Sequence, residues 1–96
     1  PKITTKNVIE VTCDYFSITK KNLLNGGRKR TIVVTRQIAM YMLRTELDLP
    51  FKEIGRVLGG RDHTTIMHGV EKVSSQIRVN GDICGYILGI KKGLWG

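Results

Sequence analysis

Acidic residues are absent from a long segment of this sequence. Between Tyr15 and Thr45 there are seven lysine and arginine residues and no aspartate or glutamate. The whole chain of 96 residues carries 16 basic and 8 acidic residues, which gives a formal net charge of +8. A charge of this size and sign favours a polyanionic partner, either nucleic acid or an anionic membrane surface.

Cysteine is scarce, and metal-ligand spacings are missing. Cys13 and Cys84 are the only two cysteines, and they lie far apart, without the paired spacing of a zinc site or a disulfide framework. We therefore expect two reduced, buried thiols. His63 and His68 are five positions apart. This spacing does not place two imidazoles on one face of a helix, so we predict no metal site.

Other missing patterns exclude several functional classes. No apolar run reaches the roughly 18 residues that a membrane span needs, and no signal peptide opens the chain, so we expect a soluble, cytoplasmic protein. The chain has no GxxxxGK[ST] phosphate-binding loop and no recognisable pairing of a catalytic nucleophile with a base. We therefore expect that this segment is not an enzyme and binds no cofactor. Its length admits one domain, residues 1–96. The start at Pro1, without an initiator methionine, suggests a fragment of a longer protein or a processed product.

The stretch from Phe51 to Val73 has the layout of a helix-turn-helix. Two short helical patterns flank the turn sequence Gly59-Gly60-Arg61, and Asp62 can cap a second helix that begins at about His63. Four apolar side chains at helical spacing predict a buried stripe along that helix: Ile66, Val70, Val73 and Ile77. We therefore predict a helix-turn-helix over about 51–78.

The opposite face of the second helix is polar. It carries Thr64, Thr65, His68, Lys72 and Ser75. Short hydroxyls, an imidazole and a lysine suit the major groove of DNA, where side chains meet base-edge donors, acceptors and a thymine methyl group. The same residues also suit ordinary solvent, so this helix alone leaves both interpretations open.

The remaining elements predict an all-α fold, a small helical bundle. Thr4 or Thr5 can cap a first helix that ends near Ser17, and Thr19 can cap a short helical turn before a break at 25–27. The run 31–34 is β-branched but has no second strand to pair with, so we predict an extended connector. Thr35 would then cap a central helix over 36–48.

A last helix carries a glycine at every fourth position from 81 to 93. Its apolar face is formed by Ile83, Ile87, Ile90 and Leu94. Glycine weakens a helix, and these glycines lie away from the apolar face. We therefore expect a frayed terminal helix rather than a contact surface.

A basic loop, Gly26 to Arg30, precedes the central helix. A charge run of this kind is usually a solvated turn. Beside a helix-turn-helix it can also follow phosphates or place an arginine in a narrow, A/T-rich minor groove. The combination favours DNA binding, with phosphate contacts providing affinity and the second helix providing sequence discrimination.

Two adjoining segments resemble a known family. TRQIAMYMLRTELDLPFKEIG, followed by GGRDHTTIMHGVEKV, is similar to the C-terminal DNA-binding domain (domain IV) of the DnaA family of bacterial chromosomal replication initiators. The resemblance covers about Ile3 to Ile77. It implies an all-α bundle whose helix-turn-helix binds short, asymmetric boxes close to TTATCCACA in double-stranded origin DNA, one domain to a box. It also implies an upstream ATPase domain that uses ATP, and self-assembly through regions outside this sequence.

The same resemblance implies roles for the helix-turn-helix residues. Asp62, His63 and Thr64 would contact base edges in the major groove, since a carboxylate can accept from cytosine and a threonine can meet both a base and a thymine methyl group. Thr65 and Lys72 would hold phosphates.

Further contacts are implied outside the signature helix. Gln37, expected at the start of the central helix, would hold a phosphate. Arg28 aligns with a minor-groove arginine of the family, and Arg30 remains a rival for that role. Lys52 stands where the family often has proline, and it would contact a phosphate of the DNA backbone. The remaining predicted DNA-binding residues are Lys29, Arg61 and His68.

A second hypothesis uses the same charges differently. The chain could be a basic helical protein-interaction module that docks an acidic partner or an anionic membrane surface. Only the first hypothesis requires binding that depends on DNA sequence.

Overall fold

Six α-helices account for the regular structure of the part of the chain that the structure describes. The computed structural model describes residues 2–96, and within that range there is no β-strand. The helices are α1 (Thr5–Phe16), α2 (Lys20–Leu24), α3 (Arg30–Leu47), α4 (Phe51–Val57), α5 (His63–Gln76) and α6 (Gly81–Trp95). The all-α prediction is confirmed.

The first two helices begin at the threonines that the sequence suggests. Thr4 is the N-cap of α1, where its hydroxyl accepts from the amide of Asn7 at 3.1 Å while the Asn7 side chain accepts from the Thr4 amide. This reciprocal capping satisfies two backbone donors that the helix leaves unpaired. At α2 the capping is one-sided: the Thr19 hydroxyl accepts from the amide of Asn22 at 3.1 Å. Ser17 ends α1 in a left-handed conformation.

The third helix begins earlier than predicted. Residues 31–34 are helical, so the expected extended connector is wrong, and Thr35 lies inside α3 instead of capping it. The Thr35 side chain is fully buried, and its hydroxyl donates to the Thr31 carbonyl at 2.7 Å. β-Branched residues disfavour a helix only weakly, and the burial of Ile32 and Thr35 against the rest of the protein outweighs that preference.

Helix α3 is the axis of the protein, as predicted. It packs against α1, α2, α4 and α5. Its side chains Ile38, Ala39, Met42 and Leu43 are completely buried. A helix that is apolar on most sides needs neighbours on most sides. Asp48, left-handed at φ 53°, ends α3 before Pro50 starts α4.

The last helix is well formed and packs closely on α1, so the prediction of a frayed helix is wrong. Gly89 lies directly against the ring of Tyr15, and Gly93 lies against Val11; a methyl group at either glycine would overlap its neighbour. At the end of α6, Trp95 Nε1 donates to Glu46 Oε1 at 2.9 Å. The absence of a side chain therefore lets two helices approach, a benefit that helix propensity alone does not reveal.

The two thiols differ in exposure. Both cysteines are free, and Cys13 is buried, but Cys84 is partly exposed, so the prediction of two buried thiols is wrong for Cys84. In residues 2–96 there is no helix long and apolar enough to cross a membrane.

A buried hydroxyl of α1 has no hydrogen-bond partner within residues 2–96. Thr12 is fully buried, and the unpaired atom is its Oγ1. We expect Thr12→Val to raise the free energy of unfolding by about 1 kcal/mol, because an unpaired buried polar group costs about 1–3 kcal/mol. Urea denaturation measures this change. Thr35→Val is the matched control, since that hydroxyl is equally buried but bonded, and it should give no gain. Equal effects of the two substitutions would contradict the assignment.

Candidate nucleic-acid interface

The turn between α4 and α5 is built on glycines. Gly59 and Gly60 have positive φ values of 87° and 79°, which glycine adopts without strain. The Gly55 carbonyl accepts from the amides of Gly60 and Arg61, each at 2.9 Å. These two bonds close the turn and set the angle between α4 and α5. The predicted helix-turn-helix is confirmed.

Gly55 itself is a structural residue that the sequence analysis missed. It is buried, and a methyl group at its Cα would overlap the carbonyl oxygen of Arg61. At Gly59, a methyl group would likewise overlap the carbonyl oxygen of Leu24. A glycine inside the otherwise regular pattern of α4 was the available signal, since such a glycine often marks close backbone approach.

The second helix of the motif begins where predicted, but its cap differs. Asp62 occupies the N-cap position with extended backbone angles, yet its carboxylate accepts no bond from the helix amides. Instead, Asp62 Oδ1 lies 3.2 Å from His63 Nδ1, and both side chains are exposed. The capping bond predicted from sequence is therefore wrong. The carboxylate and the imidazole remain available at the surface.

The two faces of α5 divide as the sequence predicts. Ile66 and Val73 are buried in the core, and Val70 and Ile77 are partly buried against it. On the other side, the predicted contact residues His63, Thr65, His68 and Lys72 are exposed, and Thr64 is half-buried. The helix thus presents a continuous polar surface from its first turn to its third.

Helix α3 meets α5 at Gly69. This glycine is buried, and a methyl group there would overlap Sδ of Met40 and lie 3.6 Å from Cγ of Gln37. Gln37 therefore lies beside α5. It is half-buried within the second turn of α3, so its predicted place at the start of the helix is wrong.

A cleft joins the basic loop to the polar surface of α5. Arg28 and Arg30 line it together with Gln37 and Lys72. The other lining residues are Val33, Val34, Gln76, Asn80 and Ile83. Four of the predicted contact residues, which are separated by up to 44 positions in sequence, are therefore neighbours in space.

The basic loop is shorter than predicted. Arg30 is the first residue of α3, and Lys29 is its N-cap, without a capping bond from a side chain. The first turn of α3 has no acidic residue either. Arg28, Lys29 and Arg30 are all exposed. Lys52 is exposed in the first turn of α4 and does not line the cleft.

Arg61 differs from the other predicted contacts because its side chain turns inward. Its Nη1 donates to the carbonyls of Leu24 and Leu58, and its Nη2 donates to the carbonyl of Asn25 at 3.0 Å. Burial lowers the pKa of Arg61. These bonds give Arg61 a structural role that the sequence analysis missed. No group of three or more potential metal ligands is present in residues 2–96.

The chain matches the family model described as the bacterial dnaA protein helix-turn-helix, over residues 5–73. It belongs to that family. The resemblance seen in the sequence is therefore confirmed: the chain corresponds to the C-terminal, DNA-binding domain of this family.

The curated relatives of this chain are considerably longer than the chain itself. The chain is similar to the chromosomal replication initiator protein DnaA of Thermomicrobium roseum, with 44% identity over 98% of this chain and 20% of that protein. Identity to the DnaA of Spiroplasma citri is 38%, over 99% of this chain and 21% of that protein. Identity to the DnaA of Roseiflexus castenholzii is 36%, over 97% of this chain and 19% of that protein. The chain spans about a fifth of the length of the curated relatives it matches. Because the family match is to a helix-turn-helix domain, the expectation that this segment is not an enzyme is confirmed.

Proposed function

We propose that this chain recognises short, asymmetric boxes in double-stranded origin DNA, with α5 in the major groove and the basic loop in the minor groove. The observation that carries the proposal is the cleft that places Arg28 and Arg30 beside Lys72 on α5. Two elements on one side of a small protein can reach adjacent grooves of one duplex. The family supports DNA binding in replication initiation.

Sequence discrimination is assigned to the first turn of α5. Asp62 and His63 are exposed there, and the Asp62 carboxylate is not used for capping. An exposed carboxylate can accept from the amino group of cytosine. Thr64 offers a hydroxyl to a base edge and a methyl group to thymine. These three residues are proposed to read bases, and His68 lies one turn further along the exposed face.

Affinity is assigned to phosphate contacts around this helix. Lys72 and Thr65 project from α5, and Gln37 lies on the adjoining α3. Lysine, hydroxyl and amide groups are common donors to phosphate oxygens. Lys52 is proposed to add a contact from α4. Charge neutralisation makes such binding strongly dependent on salt.

The basic loop is assigned to the minor groove and its phosphates. Arg28 is the proposed minor-groove residue, and Arg30 is the rival, held more firmly because it belongs to α3. Lys29 is proposed to contact phosphate. The amides that open α3 have no side-chain cap, and unpaired amides at a helix start favour a nearby anion.

The role of the whole protein is inferred from the same relatives. We propose that the longer protein initiates chromosomal replication, that it uses ATP in a domain outside this segment, and that it self-assembles there. One copy of the present domain would occupy each asymmetric box.

The proposed function predicts binding that depends on DNA sequence. A duplex bearing TTATCCACA should bind at least about tenfold more tightly than a scrambled duplex, since specific sites commonly exceed non-specific ones by far more. This advantage should persist as salt rises from low to near-physiological concentration, while binding to the scrambled duplex falls steeply. Fluorescence anisotropy at both salt concentrations measures it. Equal weakening of both duplexes would favour the alternative in which charge alone docks an acidic partner or a membrane surface.

A further inference from the structure

Two arginines point into the protein beneath the basic loop. Arg36, on α3, is only 8% exposed. Neither Arg36 nor Arg61 forms an ion pair with a carboxylate of residues 2–96. A buried charge is costly unless it is well hydrogen-bonded, so the partners of these two side chains define their role.

The Arg36 guanidinium donates its hydrogen bonds to backbone carbonyls of one segment, residues 22–27. Its Nε donates to Leu23 at 2.8 Å, its Nη2 donates to Asn25 at 2.8 Å and to Asn22 at 3.3 Å, and its Nη1 donates to Gly27 at 3.3 Å. These carbonyls lie at or beyond the end of α2, where a helix leaves acceptors unpaired. The planar fork of a single guanidinium thus fixes the path of the chain that leads into the basic loop.

Arg61 approaches the same segment from the helix-turn-helix. Its bond to the Asn25 carbonyl shares an acceptor with Arg36, and its bond to the Leu24 carbonyl adds a second tie. Burial lowers the pKa of Arg36, and the positive charge of Arg61 lowers it further. The two like charges are held together because carbonyl dipoles surround them. We call this pair, Arg36 and Arg61, the arginine clamp.

We propose that the arginine clamp positions the basic loop relative to α5, so that the loop and the helix enter their two grooves together. Arg36 ties the loop to the central helix, and Arg61 ties it to the turn that precedes α5. Both act as positioning residues, because their bonded groups face carbonyls instead of solvent. The inference rests on the proposed function, since it assigns the clamp a part in box recognition.

The first test needs no DNA. In Arg36→Lys and, separately, Arg61→Lys, the charge is kept but the fork is lost. We expect the amides of Leu23 and Asn25, which donate to the carbonyls of Thr19 and Lys21 in α2 and its N-cap, to exchange about tenfold faster or more in native-state hydrogen exchange. Amides of the α3 core should keep their wild-type rates. Arg56→Lys is the matched control, because Arg56 is exposed and bonds only to Glu53.

The second test couples the clamp to DNA recognition. Arg28→Ala should weaken box binding by about tenfold in the wild-type background and by much less in the Arg36→Lys background, since residues that act as a unit are not additive. The slope of log affinity against log salt should be shallower in Arg36→Lys than in the wild type, because a displaced loop neutralises fewer phosphates even though the net charge is unchanged. The Arg56→Lys background should leave the Arg28→Ala penalty at its wild-type value.

Each remaining outcome has a distinct meaning. Wild-type exchange in both clamp variants would show that the clamp does not hold the loop. Faster exchange throughout the core would indicate a general stabilising role for the clamp. Faster loop exchange with an unchanged Arg28→Ala penalty would show that the clamp has no part in DNA recognition. Either result overturns the inference and leaves the proposed function standing. Absence of box preference in the wild type would instead refute the proposed function. If Arg36→Lys does not fold, Arg61→Lys, which alters the more exposed member, decides.

Discussion

Gly55→Ala should lower the free energy of unfolding by roughly 3 kcal/mol, the upper end of the usual cost of overpacking. The added methyl group would overlap the carbonyl oxygen of Arg61, and a backbone atom cannot swing aside as a side chain can. Relief would require the turn to open. The two bonds from the amides of Gly60 and Arg61 to the Gly55 carbonyl would then be lost.

The measurement is chemical denaturation followed by circular dichroism, with box affinity measured in parallel. Gly85→Ala is the matched control, because Gly85 lies in α6 with open space around its Cα. That change should raise stability by up to about 1 kcal/mol, the difference in helix propensity between alanine and glycine. If Gly55→Ala, like Gly85→Ala, did not lower the free energy of unfolding, the turn would not be closed by direct backbone contact at Gly55.

Thr64→Ala and Lys72→Ala should have different effects on DNA binding. Loss of the proposed base contact in Thr64→Ala should cost about 1–3 kcal/mol on the box duplex and almost nothing on a scrambled duplex. Lys72→Ala should weaken both duplexes alike and reduce the salt slope by about one, because a phosphate contact carries no sequence information. Both substitutions lie on one polar face of α5 and replace no fully buried side chain.

Titrations of both duplexes at several salt concentrations distinguish these effects. Ser74→Ala serves as the control, since it removes an exposed hydroxyl from α5 outside the proposed contact set. It should change neither the affinity nor the salt slope. A loss for Thr64→Ala of equal size on both duplexes would contradict its assignment to base reading.

Local rules were sufficient for the helix-turn-helix. The turn glycines, the N-cap position of Asp62 and the apolar spacing from Ile66 to Val73 all act within a few residues of chain, so the start and the buried face of α5 were predicted correctly. The placement of helix ends at Thr4, Thr19 and Pro50 followed from the same kind of argument.

Predictions failed where a distant contact outweighed a local preference. The β-branched run 31–34 became helical because Ile32 and, just beyond the run, Thr35 are buried against the rest of the protein. The glycines of α6 were judged by propensity and by their position away from the apolar face, although Gly89 and Gly93 allow α1 to approach. A propensity describes a residue in isolation and contains no information about which helix lies opposite.

The features of the candidate site also fall into those that local sequence determines and those that depend on distant contacts. The sequence alone determined that the chain is strongly basic, that it is all-α with a helix-turn-helix, and which side chains lie on the exposed face of α5, because charge and helical period are properties of the chain itself. Only the tertiary structure brought Arg28, Gln37 and Lys72 to one cleft, and only it turned Arg36 and Arg61 inward. In sequence an arginine is a charge; whether it faces a phosphate or a carbonyl depends on which backbone groups the fold leaves unpaired beside it.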